Sequence, residues 1–136
     1  MTQQTTTPFG TETGNSAVLL IAHGSRRAAA NHDLVKLAEL ISQRNCYRIV
    51  HVSYLELSSP TIMEGAAACV AEGALRVLML PYFLSPGVHV VNDLETARQE
   101  LAGQHPHVKF DLCPHLGLHP LMIDIVLDRL QQGASK

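Results

Sequence analysis

Leu80-Pro81-Tyr82-Phe83-Leu84-Ser85-Pro86-Gly87-Val88-His89-Val90-Val91-Asn92-Asp93-Leu94 decides how the rest of the chain is read. It begins as the tail of an apolar run, Arg76 to Tyr82, with the length and composition of a strand buried on both faces. Pro86-Gly87 breaks that run, and Asn92 with Glu95 three residues on has capping-box spacing for a helix start. His89 is thereby expected between a strand end and a helix start, where open α/β sheets keep their ligands.

Working outward, Ala17-Val18-Leu19-Leu20-Ile21-Ala22 is a second buried-strand run, and it ends in His23-Gly24-Ser25-Arg26-Arg27. From about Asn31 the period changes, with Leu34, Leu37, Ala38 and Ile41 at helical spacing. Arg48 to Tyr54 reads as a strand followed by Leu55-Glu56-Leu57, after which Ser58-Ser59-Pro60 is expected to open a helix that stops at Gly73. Beyond the central stretch, the helix capped by Asn92 ends at Gly103, and Val108 to Leu112 is a fourth strand at an edge. A last helix spans roughly Leu118 to Gln131, with Leu121, Met122, Ile125 and Val126 on one face, and Gly133 to Lys136 should fray. Four strands alternating with four helices predict an α/β fold: an open four-stranded parallel sheet with helices on both faces. Right-handed crossovers then gather every strand-to-helix loop on one rim. A sheet this small predicts self-association.

Composition narrows the class. At 136 residues the chain has room for one domain with a real core, and 46% apolar content separates it from disordered chains. Only 4% of residues are aromatic and none is Trp, which argues against a stacking platform for single-stranded nucleic acid. A net charge of −2 argues against binding a phosphate backbone. No apolar run approaches the roughly 20 residues that cross a bilayer. Residues 1–15, rich in Thr, Gln and Gly, lack the pattern of a signal peptide and are read as a disordered tail before a domain over 16–132. Cys46, Cys69 and Cys113 are odd in number, widely spaced and without a C-x-x-C pair, which suits buried thiols in a reduced, cytoplasmic setting. Eight histidines are a surplus that hints at metal or proton chemistry.

The candidates for that chemistry follow strands. Glu56 comes 33 positions after His23 and His89 another 33 after Glu56, as expected if each βαβ repeat donates one group. His23 is either a turn histidine bonded to backbone or a metal ligand or general base, and His89 has the same alternatives. Glu56 is either a carboxylate capping the following helix or a third ligand or proton acceptor. Arg26 and Arg27 read as solvated helix-start residues that would help hold an anionic substrate. His115 and His119 read as loop and first-turn residues, His32, His51, His105 and His107 as structural or exposed, and the cysteines as core fillers.

With these residues assembled, the chain resembles the sirohydrochlorin chelatases, the short class II chelatases of the CbiX/SirB type. The likeness rests on Ile21-Ala22-His23-Gly24-Ser25-Arg26, on Leu55-Glu56-Leu57-Ser58-Ser59-Pro60, on Leu80 to Val90, and on Gly117-Leu118-His119-Pro120-Leu121, within about 17–130. It implies ATP-independent insertion of Co²⁺, Fe²⁺ or Ni²⁺ into sirohydrochlorin, with the metal as substrate and no permanently bound cofactor. It implies that His23 and His89 are the paired catalytic and metal-binding histidines and that Glu56 assists. Ser25, Arg26, Leu84, Ser85, Pro86, Gly87, Val88 and Val90 are the expected substrate-binding residues. Short members resemble one half of longer two-domain chelatases and pair as homodimers around the tetrapyrrole. Val88 stands where many members carry Arg, which removes the basis for a carboxylate contact there.

The chemistry holds together without the family. A macrocycle must receive a partly dehydrated ion that is held loosely, and two imidazoles with a carboxylate suit Co²⁺, Ni²⁺ or Fe²⁺. Two pyrrole N–H protons must leave, and a neutral histidine can accept one. Leu84, Val88 and Val90 are expected to pack on the ring face. One rival is a non-catalytic carrier of metal or tetrapyrrole. Another is a phosphate-transferring enzyme with His23 as nucleophile, disfavoured because Ala22 stands where histidine phosphatases place Arg.

Overall fold

The structure is a computed structural model and describes residues 15–135. In chain order it comprises β1 (Ser16–Ala22), α1 (Ala28–Gln43), β2 (Ile49–Tyr54), α2 (Ile62–Ala71), β3 (Arg76–Pro81), α3 (Val88–Gln104), β4 (Lys109–Leu112) and α4 (Pro120–Ala134). The strands form one parallel sheet in the order β2-β1-β3-β4. β1 is central, and residues 16–21 are buried throughout, as its unbroken apolar run requires. In β3 the burial alternates, so that Val77, Met79 and Pro81 face one layer and Leu78 and Leu80 the other.

The sheet separates two cores. On one face α2 and α3 contribute Ile62, Ala66, Cys69, Leu94, Ala97 and Leu101 against Leu19, Val77, Met79 and Phe110. On the other face α1 lays Leu34 over Val18, Leu20 and Tyr54. Fully burying a Leu or Ile side chain is worth about 1.5–3 kcal/mol, so Leu19, Leu20 and Ile21 anchor both layers.

The two faces are covered unequally. α2 and α3 span the first, whereas α1 covers mainly β2 and β1 of the second. On α1's side of β3, Leu80 packs against the Leu34 cluster, and Leu78 lies beside the Arg76–Asp111 ion pair. Among the described residues no strand or helix packs extensively along α4, and none of its residues is buried.

Strand positions and the parallel sheet match the expectation, while several helix starts differ. α2 begins at Ile62 and not at Ser58-Ser59-Pro60. Its N-cap is Thr61, which forms a reciprocal capping box with Glu64. α3 begins at Val88, four residues before Asn92, and Gly87 is its N-cap, without a side-chain bond. His89 therefore belongs to the first turn of α3 and does not precede the helix. Gly103 lies inside α3, and α4 runs on to Ala134 past the point where fraying was expected. The disordered tail expected over 1–15 lies outside the described residues except at Asn15, whose carbonyl accepts from the N–H groups of Leu75 and Arg76. No helix is long and apolar enough to cross a membrane among the described residues.

Candidate active site

All four strand ends open on one rim, and the β1–β2 side of it is tied most closely. The parallel pairing of β1 and β2 continues past both strands: Leu55 N–H donates to the Ala22 carbonyl at 2.9 Å, and Glu56 N–H to the His23 carbonyl at 3.1 Å. Gly24 makes this approach possible. Its φ is +102°, in the region that favours glycine, and a Cβ there would lie 1.9 Å from the Glu56 carbonyl oxygen. With the backbones this close, the two side chains meet, and His23 Nε2 is 2.9 Å from Glu56 Oε2. An ionised carboxylate only accepts, so the shared proton sits on Nε2 and the Nδ1 lone pair remains for a ligand. The two side chains are 56% and 58% exposed, so the pair orients the imidazole and adds little stability. Glu56 is thus the acidic partner of His23 and not a helix cap.

Asn31, in the first turns of α1, holds this side of the rim together. Its Oδ1 accepts from Ser25 N–H at 3.1 Å, and its Nδ2 donates to the Ser25 carbonyl at 2.7 Å and to Ser58 Oγ at 3.0 Å. Tyr54 Oη donates to the Asn31 backbone carbonyl at 3.0 Å, and burial raises the Tyr54 pKa, which keeps the phenol a donor. Ser25 Oγ accepts from Arg27 N–H at 3.0 Å. Sequence reading took Asn31 as the start of a helical period and missed this bridge between loops. Its signal, a short amide inside an otherwise Ala-rich helix start, is visible only afterwards.

Across β3 the rim is looser. Tyr82 N–H donates to the Ile21 carbonyl at 2.7 Å and Leu116 N–H to the Phe83 carbonyl at 3.1 Å, after which Leu84 and Val88 stand exposed. His89 is exposed on the first turn of α3. Ser85 and Gly87 are exposed and Pro86 half-buried, whereas Val90 packs against the interior cluster. Arg26 and Arg27 are exposed, with Arg27 as the N-cap of α1. The structure therefore joins His23 to Glu56 and puts His89 on the same rim. Among the described residues, no three His, Cys, Asp or Glu side chains gather closely enough to hold a metal ion.

Beside His89's helix, Pro81, Pro86, Val91, Leu94, Leu112, Cys113, Pro114 and His115 line an apolar hollow of about 100 Å³. That is well below the roughly 300–1,000 Å³ of ordinary ligand pockets. Burial, and then the charge of Asp111, push the Cys113 thiol up, and Cys69 is pushed up to about 12, chiefly by burial. Both are thiols and not thiolates at neutral pH, so the donors this rim offers are imidazole and carboxylate. His119 caps α4, its Nδ1 accepting from Leu121 N–H at 3.0 Å, and His51 pairs with Glu72.

Known proteins resemble this chain in sequence and fold. The chain is 34% identical over 119 residues to a sirohydrochlorin cobaltochelatase of Priestia megaterium, covering 88% of this chain and 39% of that one. It is 32% identical over 118 residues to a chloroplastic sirohydrochlorin ferrochelatase of Arabidopsis thaliana, covering 87% and 52%. Among solved structures, the sirohydrochlorin chelatase SirB of Bacillus subtilis subspecies spizizenii in complex with cobalt superposes with a TM-score of 0.80 at 25% identity, over 87% of this chain and 50% of that one. The chain thus spans about half the length, or less, of these relatives. The CbiX family model matches residues 17–133, and the chain belongs to the CbiX family.

Proposed function

We propose that this chain inserts a divalent metal ion, Co²⁺, Fe²⁺ or Ni²⁺, into sirohydrochlorin without ATP, as a cytoplasmic homodimer in tetrapyrrole biosynthesis. The observation that carries the reading is the 2.9 Å pair of His23 Nε2 and Glu56 Oε2 on the rim that also bears His89. The metal is a substrate, and no resident cofactor is invoked. Each cycle exchanges one M²⁺ for two pyrrole N–H protons, so the site must both hold an ion loosely and take up protons.

His23 is suited to the second task. Its Nδ1 accepts one proton from the ring, and Glu56, already bonded to Nε2–H, stabilises the imidazolium that forms. Positioned proton transfer of this kind is typically worth about 10²–10⁴-fold in rate. His89 offers the second imidazole for the incoming ion. Nitrogen donors without thiolate bind such ions without trapping them. Exposed Leu84 and Val88 supply apolar surface for the macrocycle, and Ser25, Arg26, Ser85, Pro86 and Gly87 border it. Val90, half-buried against the interior cluster, supports α3 beside them.

The test is spectral conversion of sirohydrochlorin by Co²⁺ above the uncatalysed background. Many turnovers per chain are expected. Stoichiometric binding that stops after one equivalent would identify the alternative, a metal or tetrapyrrole carrier.

A further inference from the structure

The conformation of Leu57 is explained neither by its residue type nor by its packing. Five of the described residues have φ in the left-handed region: Gly24, Gly73, Gly117, Asn45 and Leu57. Glycine has no Cβ to clash there and asparagine tolerates the region, so four of the five suit their positions. Leu57, at a φ of +67°, is the exception, a bulky side chain on a strained backbone. Burial does not offset that strain. Leu57 is 50% exposed, whereas Leu55, two residues earlier, packs against the interior cluster. For stability alone, Gly or Asn would serve better at this position.

The residues on either side of it are fixed. Glu56 N–H donates to the His23 carbonyl at 3.1 Å and the Glu56 carboxylate meets His23 Nε2 at 2.9 Å, while Ser58 Oγ accepts from Asn31 Nδ2 at 3.0 Å. The left-handed turn at Leu57 joins these two anchors, so its side chain stands on a loop held at both ends. The strand order decides what lies across from it. With β1 between β2 and β3, His23 follows the middle strand, Leu57 the strand on one side, and Leu84 and Val88 the strand on the other. Leu84 and Val88 are 60% and 73% exposed. The polar pair of the rim is therefore flanked by exposed apolar side chains on the segments that follow both neighbouring strands. A single exposed leucine needs no explanation. Apolar groups on both sides of a proton acceptor are what a flat ring requires if its central nitrogens are to face that acceptor.

We propose that Leu57 is a substrate-binding residue, laying its side chain against the tetrapyrrole on the β2 side of His23 while Leu84 and Val88 take the β3 side. This rests on the chelatase reading above and adds a contact that no pattern in the sequence signalled. The strained turn keeps Leu57 out of the core and in place before the ring arrives. Preorganisation of this kind lowers the entropy lost on binding.

The experiment titrates metal-free sirohydrochlorin into wild type, Leu57→Gly, Leu57→Asn, Leu57→Met and the control Leu75→Asn, followed by absorbance, with thermal unfolding of each. Leu75 is 51% exposed at the opposite end of the sheet, just before β3 begins. Leu57→Gly and Leu57→Asn are expected to raise the Kd about tenfold or more, through loss of one leucine contact. Their thermal midpoints should stay level or rise, because both residues suit the turn. Leu57→Met and Leu75→Asn are expected to bind as wild type does. The separation of affinity from stability is the signature, since a leucine kept for the fold would lose both together. Should one of the Gly and Asn variants fail to fold, the other decides. Binding at the wild-type Kd would overturn the proposal, and so would unfolding of both variants. An equal loss of affinity in Leu75→Asn would also overturn it, by making the effect one of general surface chemistry. Wild type that fails to bind sirohydrochlorin would overturn both this contact and the chelatase reading. Wild type that binds without turnover, and loses affinity in Leu57→Asn, would overturn metal insertion and leave the contact standing.

Discussion

The two halves of the rim are built differently. On the β1–β2 side, backbone pairing runs on beyond the strands, Gly24 brings the loops together, and Asn31 bonds to both. On the β3–β4 side the loop from Tyr82 to Gly87 is tied near its start, and His89, Leu84 and Val88 face outward. Under the reaction proposed above, the contrast divides the labour. A proton acceptor needs a fixed tautomer and direction, whereas groups that receive an ion and a large ring must admit them and let the product go.

The sharpest way to break this comparison is Gly24→Ala. A Cβ placed 1.9 Å from the Glu56 carbonyl, at a φ of +102°, must force the loops apart. Destabilisation of about 2 kcal/mol or more is expected in denaturant unfolding, together with loss of turnover. A variant as stable and active as wild type would show that the close approach is dispensable. The counterpart on the loose side is His89→Ala, expected to lower turnover about 10²–10⁴-fold while changing stability by under about 0.5 kcal/mol. Unchanged kinetics there would remove His89 from the mechanism.

Asn31→Ala should fall between these. Loss of its side-chain bonds leaves Ser25 and Ser58 partly unpaired, costing about 1–3 kcal/mol. Turnover should drop through kcat more than KM, because the bridge aims His23 without touching substrate. Glu56→Gln should cost less than His89→Ala, since the amide oxygen still accepts from Nε2–H and only the stabilisation of imidazolium is weakened.

The smallest effect lies on α3. Arg98, bonded to Glu95, holds that carboxyl at about 2, with Gln99 assisting. A depressed carboxyl contributes stability that is present above its unfolded value, about 4.3, and is lost as pH falls toward about 2. The difference in thermal midpoint between wild type and Arg98→Ala should therefore exist at neutral pH and vanish over that acid range. A difference that persists at pH 2 would mean that Arg98 acts otherwise.

What the sequence made legible, and what it hid, follows the range of the interactions. Four strands and their parallel sense were readable because buried runs and alternating helices are local patterns. The meeting of His23 and Glu56 was foreshadowed by their equal interval, since a parallel ladder brings equivalent ends of adjacent strands together. The start of α3 was misplaced because Asn92 and Glu95 have the right spacing for a cap, yet the helix was already running from a glycine with no side-chain signal. Ser58-Ser59-Pro60 misled likewise, since the box that forms uses Thr61 and Glu64. Asn31's role depends on loops more than 20 residues apart in the chain. The isolation of α4 was invisible because periodicity reveals an apolar side and not what covers it.

The central place of β1 has a consequence for how the protein comes into being. β1 precedes both of its neighbours in the chain, so it cannot be paired on both edges until β2 and then β3 have arrived. Closing those crossovers is a long-range search, slow compared with forming α1 or α2. A nascent polypeptide that has passed Tyr54 and Glu56 already owns both partners of the rim's polar pair, but its central strand has one open side. Competence at the rim should thus emerge at once, with the last cooperative step, and not accumulate strand by strand.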